Sequence, residues 1–169
     1  SLAWLNEWVE TGWDAATAAA RLTMGGIEVE SIEPAAPAFT GVVVGEVLSV
    51  ARHPDADKLT VCQVESGNGR LQIVCGATNV RAGMKAPLAL EGATLPGGLV
   101  IRSAKLRGVD SAGMLCSARE LGLSEEHEGI LELAGELAAG TPLRAALQLD
   151  DSILTLNVTP NRGDVLSVI

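Results

Sequence analysis

Residue type limits what chemistry a side chain can perform, so candidate nucleophiles and metal ligands come first. The chain has three cysteines and two histidines: Cys62, Cys75, Cys116, His53 and His127. A cysteine nucleophile needs a nearby base, and neither histidine lies in a local nucleophile signature. Zinc is not indicated either, because none of these residues occurs in a CxxC or HxxxH pair. We therefore expect inert thiols, and we predict that Cys116 is buried together with Met114.

The turn "HPDADKL" is the other candidate for chemistry, because Asp55 and Asp57 could bind a cation together. Aspartates are also common in turns between strands, where they cap the turn and accept hydrogen bonds from nearby backbone amides. We interpret both as structural. Neither standard pattern of glycine-rich phosphate loop occurs in the sequence. The residues thus favour a noncatalytic chain without a metal site.

The stretch "IRSAKLRGVDSAGMLCSARELGL" is basic, although the chain has a net charge of −9. Residues 40–121 carry nine basic and seven acidic side chains, whereas the rest carries three basic and fourteen acidic ones. This distribution permits contact with a nucleic acid. Alternate side chains of a strand point to opposite faces, so Arg102, Lys105 and Arg107 would not all share one face. From the residues alone, a solvated edge and a phosphate-contacting surface are equally open.

Local sequence signals predict the elements that position these residues. Residues 1–39 predict a helix over "LAWLNEWV", a helix over "AATAAARLTM" capped by Asp14, and a strand over "IEVESIE". The glycines at 25 and 26 should end the second helix. Residues 151–169 predict a strand over "ILTLNV" and the start of a helix at "DVLSVI".

Residues 40–150 have an all-β texture. Five short runs are bounded by Gly, Pro, Asn or Asp: "GVVVGEVLSV", "KLTVCQVES", "LQIVCG", "KAPLAL" and "LVIRSAKLRG". The run "SARELG" predicts one helical turn, with Ser117 and Glu120 as a capping box. An acidic wrap over 124–150 should contain a short helix near Pro142.

These elements predict an α+β chain in which a small five-stranded barrel is inserted into a split domain. The barrel spans 40–150, and the split α+β domain consists of 1–39 and 151–169, which are too small to fold separately. Its predicted core comprises Leu5, Leu22, Ile27, Val29, Ile153, Leu154 and Leu156. The apolar chain end also suggests a fragment of a longer protein. Since no apolar run approaches the ~18–20 residues of a membrane span, and since three cysteines form no close pair, we expect a cytoplasmic protein.

Three runs resemble a known family when read in order: "HPDADKLTVCQVESG", "IVCGATNVRAG" and "AKLRGVDSAGMLCSARELG". They are similar to the tRNA-binding domain of the endothelial-monocyte-activating-polypeptide type, which is an oligonucleotide-binding (OB) barrel. The flanks "RLTMGGIEVESIEP" and "LNVTPNRGDVLSVI" resemble the N-terminal part of the bacterial phenylalanyl-tRNA synthetase β-subunit family. The resemblance covers essentially the whole chain. We predict as its tRNA-binding residues Lys58, Asn79, Arg102, Lys105, Arg107 and Ser117.

The resemblance implies a larger enzyme that joins phenylalanine to its tRNA with ATP and magnesium. That enzyme contains two α and two β subunits, and the family places catalysis in α and editing further along β. This chain would then be noncatalytic and without a cofactor of its own, with tRNA, the α subunit and the second β subunit as partners, and neither DNA nor a membrane. Two alternatives stay open. One is a scaffold module for subunit packing with vestigial RNA binding, and the other is a free-standing tRNA-binding protein.

The aromatic residues restrict how such a barrel could bind RNA. All four precede residue 40: Trp4, Trp8, Trp13 and Phe39. OB barrels that bind single strands stack bases on aromatic rings, each contributing ~1–3 kcal/mol. We therefore expect RNA contact through charge, backbone amides and polar side chains, which read phosphate and shape more than bases.

Overall fold

A computed structural model describes residues 1–125 and 129–165 of the chain. His127 and most of the helix predicted at "DVLSVI" lie outside these residues. Within them the chain is a mixed α+β fold with antiparallel sheets. None of the described helices is both long enough and apolar enough to cross a bilayer.

Up to residue 94, and again from 143 to 157, the elements follow one another in the order that the sequence predicts. The helices are α1 (Leu2–Trp8), α2 (Ala15–Met24) and α3 (Leu143–Ala146). The strands are β1 (Glu28–Pro34), β2 (Thr40–His53), β3 (Ala56–Glu65), β4 (Arg70–Cys75), β5 (Lys85–Thr94), β6 (Ala104–Leu106), β7 (Val109–Ser111), β8 (Gly113–Leu115) and β9 (Ser152–Asn157). Short 3-10 turns occupy Pro96–Gly98 and Pro160–Val165.

Contacts divide the chain into two compact units, and the first combines both ends of the sequence. It contains Ser1–Ala36 and the described part of Leu149–Ile169. Its helix α2 begins where the Asp14 carboxylate accepts the Thr17 backbone N–H at 2.7 Å, and it ends at Gly25. Both predicted limits of this helix are confirmed.

Strands β1 and β9 form the antiparallel sheet of this first unit. Val29 lies opposite Leu156, and Ile32 lies opposite Leu154. The predicted core is only partly correct, because Ile153 is 38% exposed. Side chains alternate between the two faces of a strand, and Ile153 shares the outer face of β9 with the exposed Thr155.

The second unit, Pro37–Gln148, is built on a five-stranded sheet in the order β4-β3-β2-β5-β8. The central strand β2 pairs with β5 along its first half and with β3 along its second half. Gly45 lies where the partner changes. A Cβ there would lie 2.9 Å from side-chain atoms of both Leu88 and Val64, so a glycine allows the sheet to pack this closely.

The fifth strand of the sheet differs from the predicted one. The run "LVIRSAKLRG" is not a strand of the sheet, although Val100 forms an isolated bridge to Thr94 at the end of β5, and the edge position is taken by β8. Residues 101–103 have no regular structure, and 104–106 form β6, which pairs with β7 in a separate hairpin. Strand β8 can approach β5 because Gly113 has no Cβ, which would lie 2.5 Å from the Ala89 carbonyl oxygen.

The predicted helical turn at "SARELG" is wrong, although its capping bonds form. The Glu120 carboxylate accepts the Ser117 backbone N–H at 2.7 Å, and the Ser117 hydroxyl accepts the Glu120 N–H at 3.3 Å. The segment is a hydrogen-bonded turn, because Leu123 N–H bonds to the Ala118 carbonyl and Gly122 has a φ of +65°.

The acidic wrap attaches to the sheet by backbone hydrogen bonds. Leu133 N–H donates to the Lys85 carbonyl, and Gly140 N–H donates to the Val44 carbonyl, both at 2.8 Å. Helix α3 begins directly after Pro142, as predicted, and buries Leu143 completely. The wrap therefore supplies apolar side chains to the core of the second unit.

Candidate nucleic-acid interface

Strands β6 and β7 form a hairpin whose two-residue turn is Arg107–Gly108. The φ angles of these residues are +47° and +88°. Type I′ hairpin turns need positive φ at both central residues and favour Asn or Gly there. For an L-residue other than glycine this conformation costs about 1–2 kcal/mol. An arginine is therefore held in a strained conformation at the exposed tip of the hairpin.

Strand β7 is fixed to the edge of the sheet by side-chain and backbone bonds. The Gln72 amide donates to the Asp110 carbonyl at 2.8 Å, and the Ser111 hydroxyl accepts the Val74 N–H at 3.0 Å. Ala112 N–H also donates to the Gln72 carbonyl at 2.9 Å. The hairpin thus projects from a rigid edge formed by β4.

Lys105 lies on the outer strand of this hairpin, opposite Asp110. Its Nζ is 3.8 Å from the Asp110 carboxylate, and the two side chains are 64% and 80% exposed. Exposed ion pairs of this kind contribute little, typically ~0–1 kcal/mol, because water screens them. The Lys105 ammonium can therefore exchange this carboxylate for a phosphate at small cost.

A groove of about 660 Å³ lies beside the hairpin. Its lining comes from the segment 99–106, from 74–78, from β8, and from Ser117, Glu120, Gly129 and Ile130. Three exposed aliphatic side chains form part of it: Leu99, Val100 and Leu106. The volume is that of a small-molecule or single-nucleotide site, which is typically ~300–1,000 Å³. We call this feature the hairpin groove.

All four predicted basic residues are exposed, and three of them lie at the hairpin groove or on its hairpin. Arg102 lines the groove, and Lys105 and Arg107 lie on the hairpin. Lys58 lies on β3, close after the turn that joins β2 to β3. The structure therefore places three of the four on one continuous stretch beside the groove.

The two predicted polar contacts are already engaged in hydrogen bonds. Asn79 donates its amide N–H to the Ile130 carbonyl at 2.8 Å and accepts the Ile130 N–H at 2.9 Å. The Ser117 hydroxyl, which lines the groove, donates to Glu120 at 2.8 Å. Both residues thus hold the groove lining in place, and their contact with RNA stays a prediction.

His53 has a structural role. From the sequence we considered it only as a base or as a zinc ligand. Its ring is 5% exposed. One ring nitrogen accepts the Asp55 backbone N–H, and the other contacts the Leu106 carbonyl, both at 3.1 Å. The local backbone bond expected for the aspartates of "HPDADKL" is thus accepted by the histidine. The sequence "HPD" was a signal for this turn, but it gave no sign of the distant partner Leu106.

The thiols are buried and protonated at neutral pH. Burial, and to a smaller extent the charge of Glu120, raise the pKa of Cys116 to about 12. Burial also raises the pKa of Cys62 and of Cys75. The prediction that Cys116 is buried is confirmed, whereas Met114 is only half-buried because it lines the open groove.

In the described ranges, no three His, Cys, Asp or Glu side chains converge as a metal site requires.

Comparison with known families bears on what this surface does. A family model described as "Putative tRNA binding domain" matches residues 42–142, which include the whole sheet from Val42 onward, the hairpin and the groove. The chain belongs to this tRNA-binding-domain family. The resemblance of the three sequence runs to such a domain is thereby confirmed.

The tRNA-binding domain and its flanks are together similar to curated relatives. The "Phenylalanine--tRNA ligase beta subunit" of Bordetella bronchiseptica is 59% identical over 167 residues, 98% of this chain and 21% of that protein. The subunit of the same name from Pseudomonas putida is 54% identical over 165 residues, with the same two coverages. A solved "MetRS related protein" from Pyrococcus horikoshii covers 60% of this chain and 86% of its own, with a TM-score of 0.47 and 22% identity. The chain spans about a fifth of the length of the curated relatives, and the predicted similarity to the β-subunit family is confirmed.

Proposed function

We propose that this chain is the noncatalytic tRNA-contacting module of a phenylalanyl-tRNA synthetase β subunit. Its phosphate-binding surface comprises Lys58, Arg102, Lys105 and Arg107. The observation that carries the proposal is Arg107, which has a φ of +47° in a turn where Asn or Gly would be unstrained. Strained residues concentrate at binding sites, where the strain is retained for function.

Contact with the RNA backbone follows from the side chains around the groove. Phe39 is the one aromatic residue of the second unit, and it is 3% exposed beneath the Arg144 guanidinium. It therefore offers no ring on which a base could stack. With three or four phosphate contacts, counterion release gives a log–log salt slope of about −2 to −4, and affinity falls near the nonspecific range of ~10⁻⁴–10⁻⁶ M.

Asn79 and Ser117 complete this surface in the proposal. Both are hydrogen-bonded to the groove lining, at Ile130 and Glu120 respectively. They fix the shape of the groove, and the lone pairs left on their oxygens offer further polar contacts to RNA. Replacing either residue should change the shape of the groove and leave the charge of the phosphate-binding surface unchanged.

The names of the relatives support a larger assembly. We propose that the full-length protein pairs with an α subunit and a second β subunit in the cytoplasm and attaches phenylalanine to tRNA with ATP and magnesium. This chain holds no cofactor in that scheme. The protonated thiols, among them Cys116, are consistent with a module that does not perform the chemistry.

We also propose that the sheet of the second unit closes into an OB barrel within a split domain made of 1–39 and 151–169. The Ala112–Gln72 backbone bond supports closure, because it links the β8 end of the sheet to β4 at the other edge. The division into Ser1–Ala36 with the chain from Leu149, and Pro37–Gln148, supports the split arrangement.

A scaffold module for subunit packing is the second candidate function. The exposed aliphatic wall of the hairpin groove favours it, since Leu99 is 55% and Val100 is 48% exposed. Aliphatic side chains bind apolar protein surface more readily than phosphate. A free-standing tRNA-binding protein is a third reading, and the high similarity of the flanks to β subunits speaks against it.

Binding of fluorescently labelled tRNA, measured by anisotropy, separates these functions. The Lys105→Ala/Arg107→Ala variant should bind every tRNA more weakly, because phosphate contacts carry no sequence information. The matched control is Arg21→Ala/Arg70→Ala, which removes the same charge from exposed positions elsewhere. Equal losses in both variants would mean nonspecific attraction, and no loss in either would favour the scaffold.

A further inference from the structure

The ring of His53 is held in one tautomer by two hydrogen bonds. Asp55 N–H donates to Nδ1 at 3.1 Å, so Nδ1 carries a lone pair and no proton. The neutral ring must then carry its proton on Nε2, which lies 3.1 Å from the Leu106 carbonyl oxygen and donates to it. Both contacts are satisfied by the same neutral tautomer.

The two bonds of His53 connect different parts of the fold. The bond to Asp55 is local and closes the turn between β2 and β3. The bond to Leu106 spans 53 positions in sequence and reaches the last residue of β6, directly before Arg107. A buried side chain thus joins the base of one turn to the tip of the hairpin.

This long-range bond supports the less anchored strand of the hairpin. Strand β7 is bonded to β4 through Gln72 and Ser111, whereas all three residues of β6 are exposed. Pairing with β7 supports β6 on one side, and the His53 ring supports its end. Lys58 lies near the start of β3, three residues after Asp55 of the same turn.

We propose that His53 is a positioning residue that holds the Arg107 hairpin to the turn between β2 and β3, so that Arg107 and the nearby Lys58 act as one phosphate-binding surface. This inference rests on the proposed function. Phosphates along an RNA backbone have fixed spacing, so basic groups that must meet several of them bind more tightly when they are pre-organised. A hairpin that moved freely would lose conformational freedom on binding and would bind more weakly.

Two substitutions separate the two bonds of the ring. In His53→Asn the side-chain oxygen can still accept the Asp55 N–H, as in the Asx turns that asparagine forms. The new asparagine would precede Pro54, and Asn-Pro is a common start of a turn. The shorter side chain does not reach Leu106. In His53→Gln the amide nitrogen can lie near the position of Nε2 and donate to the Leu106 carbonyl. The pair therefore tests the hairpin bond apart from the turn.

The experiment uses the 169-residue chain and has two readouts. The first is the ¹⁵N order parameter of the amides from Ala104 to Asp110, measured without RNA. In His53→Asn the order parameters of these amides should fall from a rigid value of about 0.85 toward the flexible range below about 0.6. In His53→Gln they should stay near the wild-type values. The second readout is tRNA affinity, which should weaken about three- to tenfold for His53→Asn and change less than about twofold for His53→Gln.

The outcomes distinguish failure of this inference from failure of the proposed function. If wild type binds tRNA and His53→Asn binds equally well with an unchanged hairpin, His53 serves only its own turn and the inference is overturned. Equal loss in both variants, together with equal loss of stability in urea, would overturn it too. If wild type does not bind tRNA, the proposed function fails, and the order parameters alone decide whether His53 holds the hairpin.

Discussion

Replacing Arg107 with asparagine separates the strain of the hairpin turn from its binding role. The residue has a φ of +47°, and asparagine is among the residues that type I′ turns favour. Left-handed backbone costs an ordinary L-residue about 1–2 kcal/mol, and asparagine is more tolerant of it than arginine. We therefore expect Arg107→Asn to leave the free energy of unfolding unchanged or to raise it by up to ~1 kcal/mol.

The same substitution should weaken tRNA binding. One lost phosphate contact removes ~0.7–0.9 released counterions, which at about 0.15 M salt corresponds to about a four- to fivefold weaker affinity. Urea unfolding measures the first effect, and fluorescence anisotropy with labelled tRNA measures the second. The matched control is Arg107→Lys, which keeps the charge and the strained backbone and should retain most of the affinity.

Opposite changes in stability and affinity are the signature of a strained functional residue. An Arg107→Asn variant that binds tRNA like wild type would refute the binding role of the tip. A variant that loses more than ~1 kcal/mol of stability would show that the arginine supports the fold, and the strain would then have no functional meaning.

Other substitutions and titrations test the surroundings of the site. Asn79→Ala should lower the free energy of unfolding by about 2–4 kcal/mol, since it breaks two bonds and leaves both backbone groups of Ile130 without their partner; urea unfolding measures this, and a loss below ~0.5 kcal/mol would contradict it. The Thr17 backbone N–H, and then its hydroxyl, lower the pKa of Asp14, so the stability that this carboxylate provides is present above its unfolded pKa of ~3.9 and is lost as pH falls through the lower folded value. Helical circular dichroism should therefore show an extra acid loss in wild type that Asp14→Asn lacks, and identical acid profiles would refute the assignment. Burial raises the pKa of Cys116 to about 12, so its contribution to stability is complete below the ordinary thiol value of 9.0 and is lost as pH rises from there toward 12. Native chain at pH 8 should react slowly with a thiol reagent at all three cysteines and rapidly in denaturant, and a fast native reaction at Cys116 would contradict its burial.

The parts of the fold that follow local rules could be predicted from the sequence. Helix α2 was predicted with its ends because Asp14 and Gly25 act within one turn of their own helix. The strands β2 to β5 were predicted because each is a β-prone run bounded by turn residues that lie next to it in the sequence. The family resemblance was found for a similar reason, since its motifs are contiguous runs.

Features that depend on distant partners could not be predicted in this way. The edge strand β8 has three residues and depends on how closely Gly113 approaches Ala89, which no local pattern shows. The groove lining held by Asn79 has its partner 51 residues away, and His53 has its partner 53 residues away. The basic residues of the candidate site were identifiable by type, whereas their arrangement on a hairpin and a groove came only with the tertiary structure.

The salt dependence of tRNA binding tests the central proposal most directly. Affinity for tRNA is measured from low to physiological salt for wild type and for Lys105→Ala/Arg107→Ala. Wild type should give a log–log slope of about −2 to −4, and the double substitution should flatten it by about 1.4–1.8, since two contacts release ~0.7–0.9 counterions each. An unchanged slope and affinity in the double variant would contradict the account and leave the hairpin as a solvated edge.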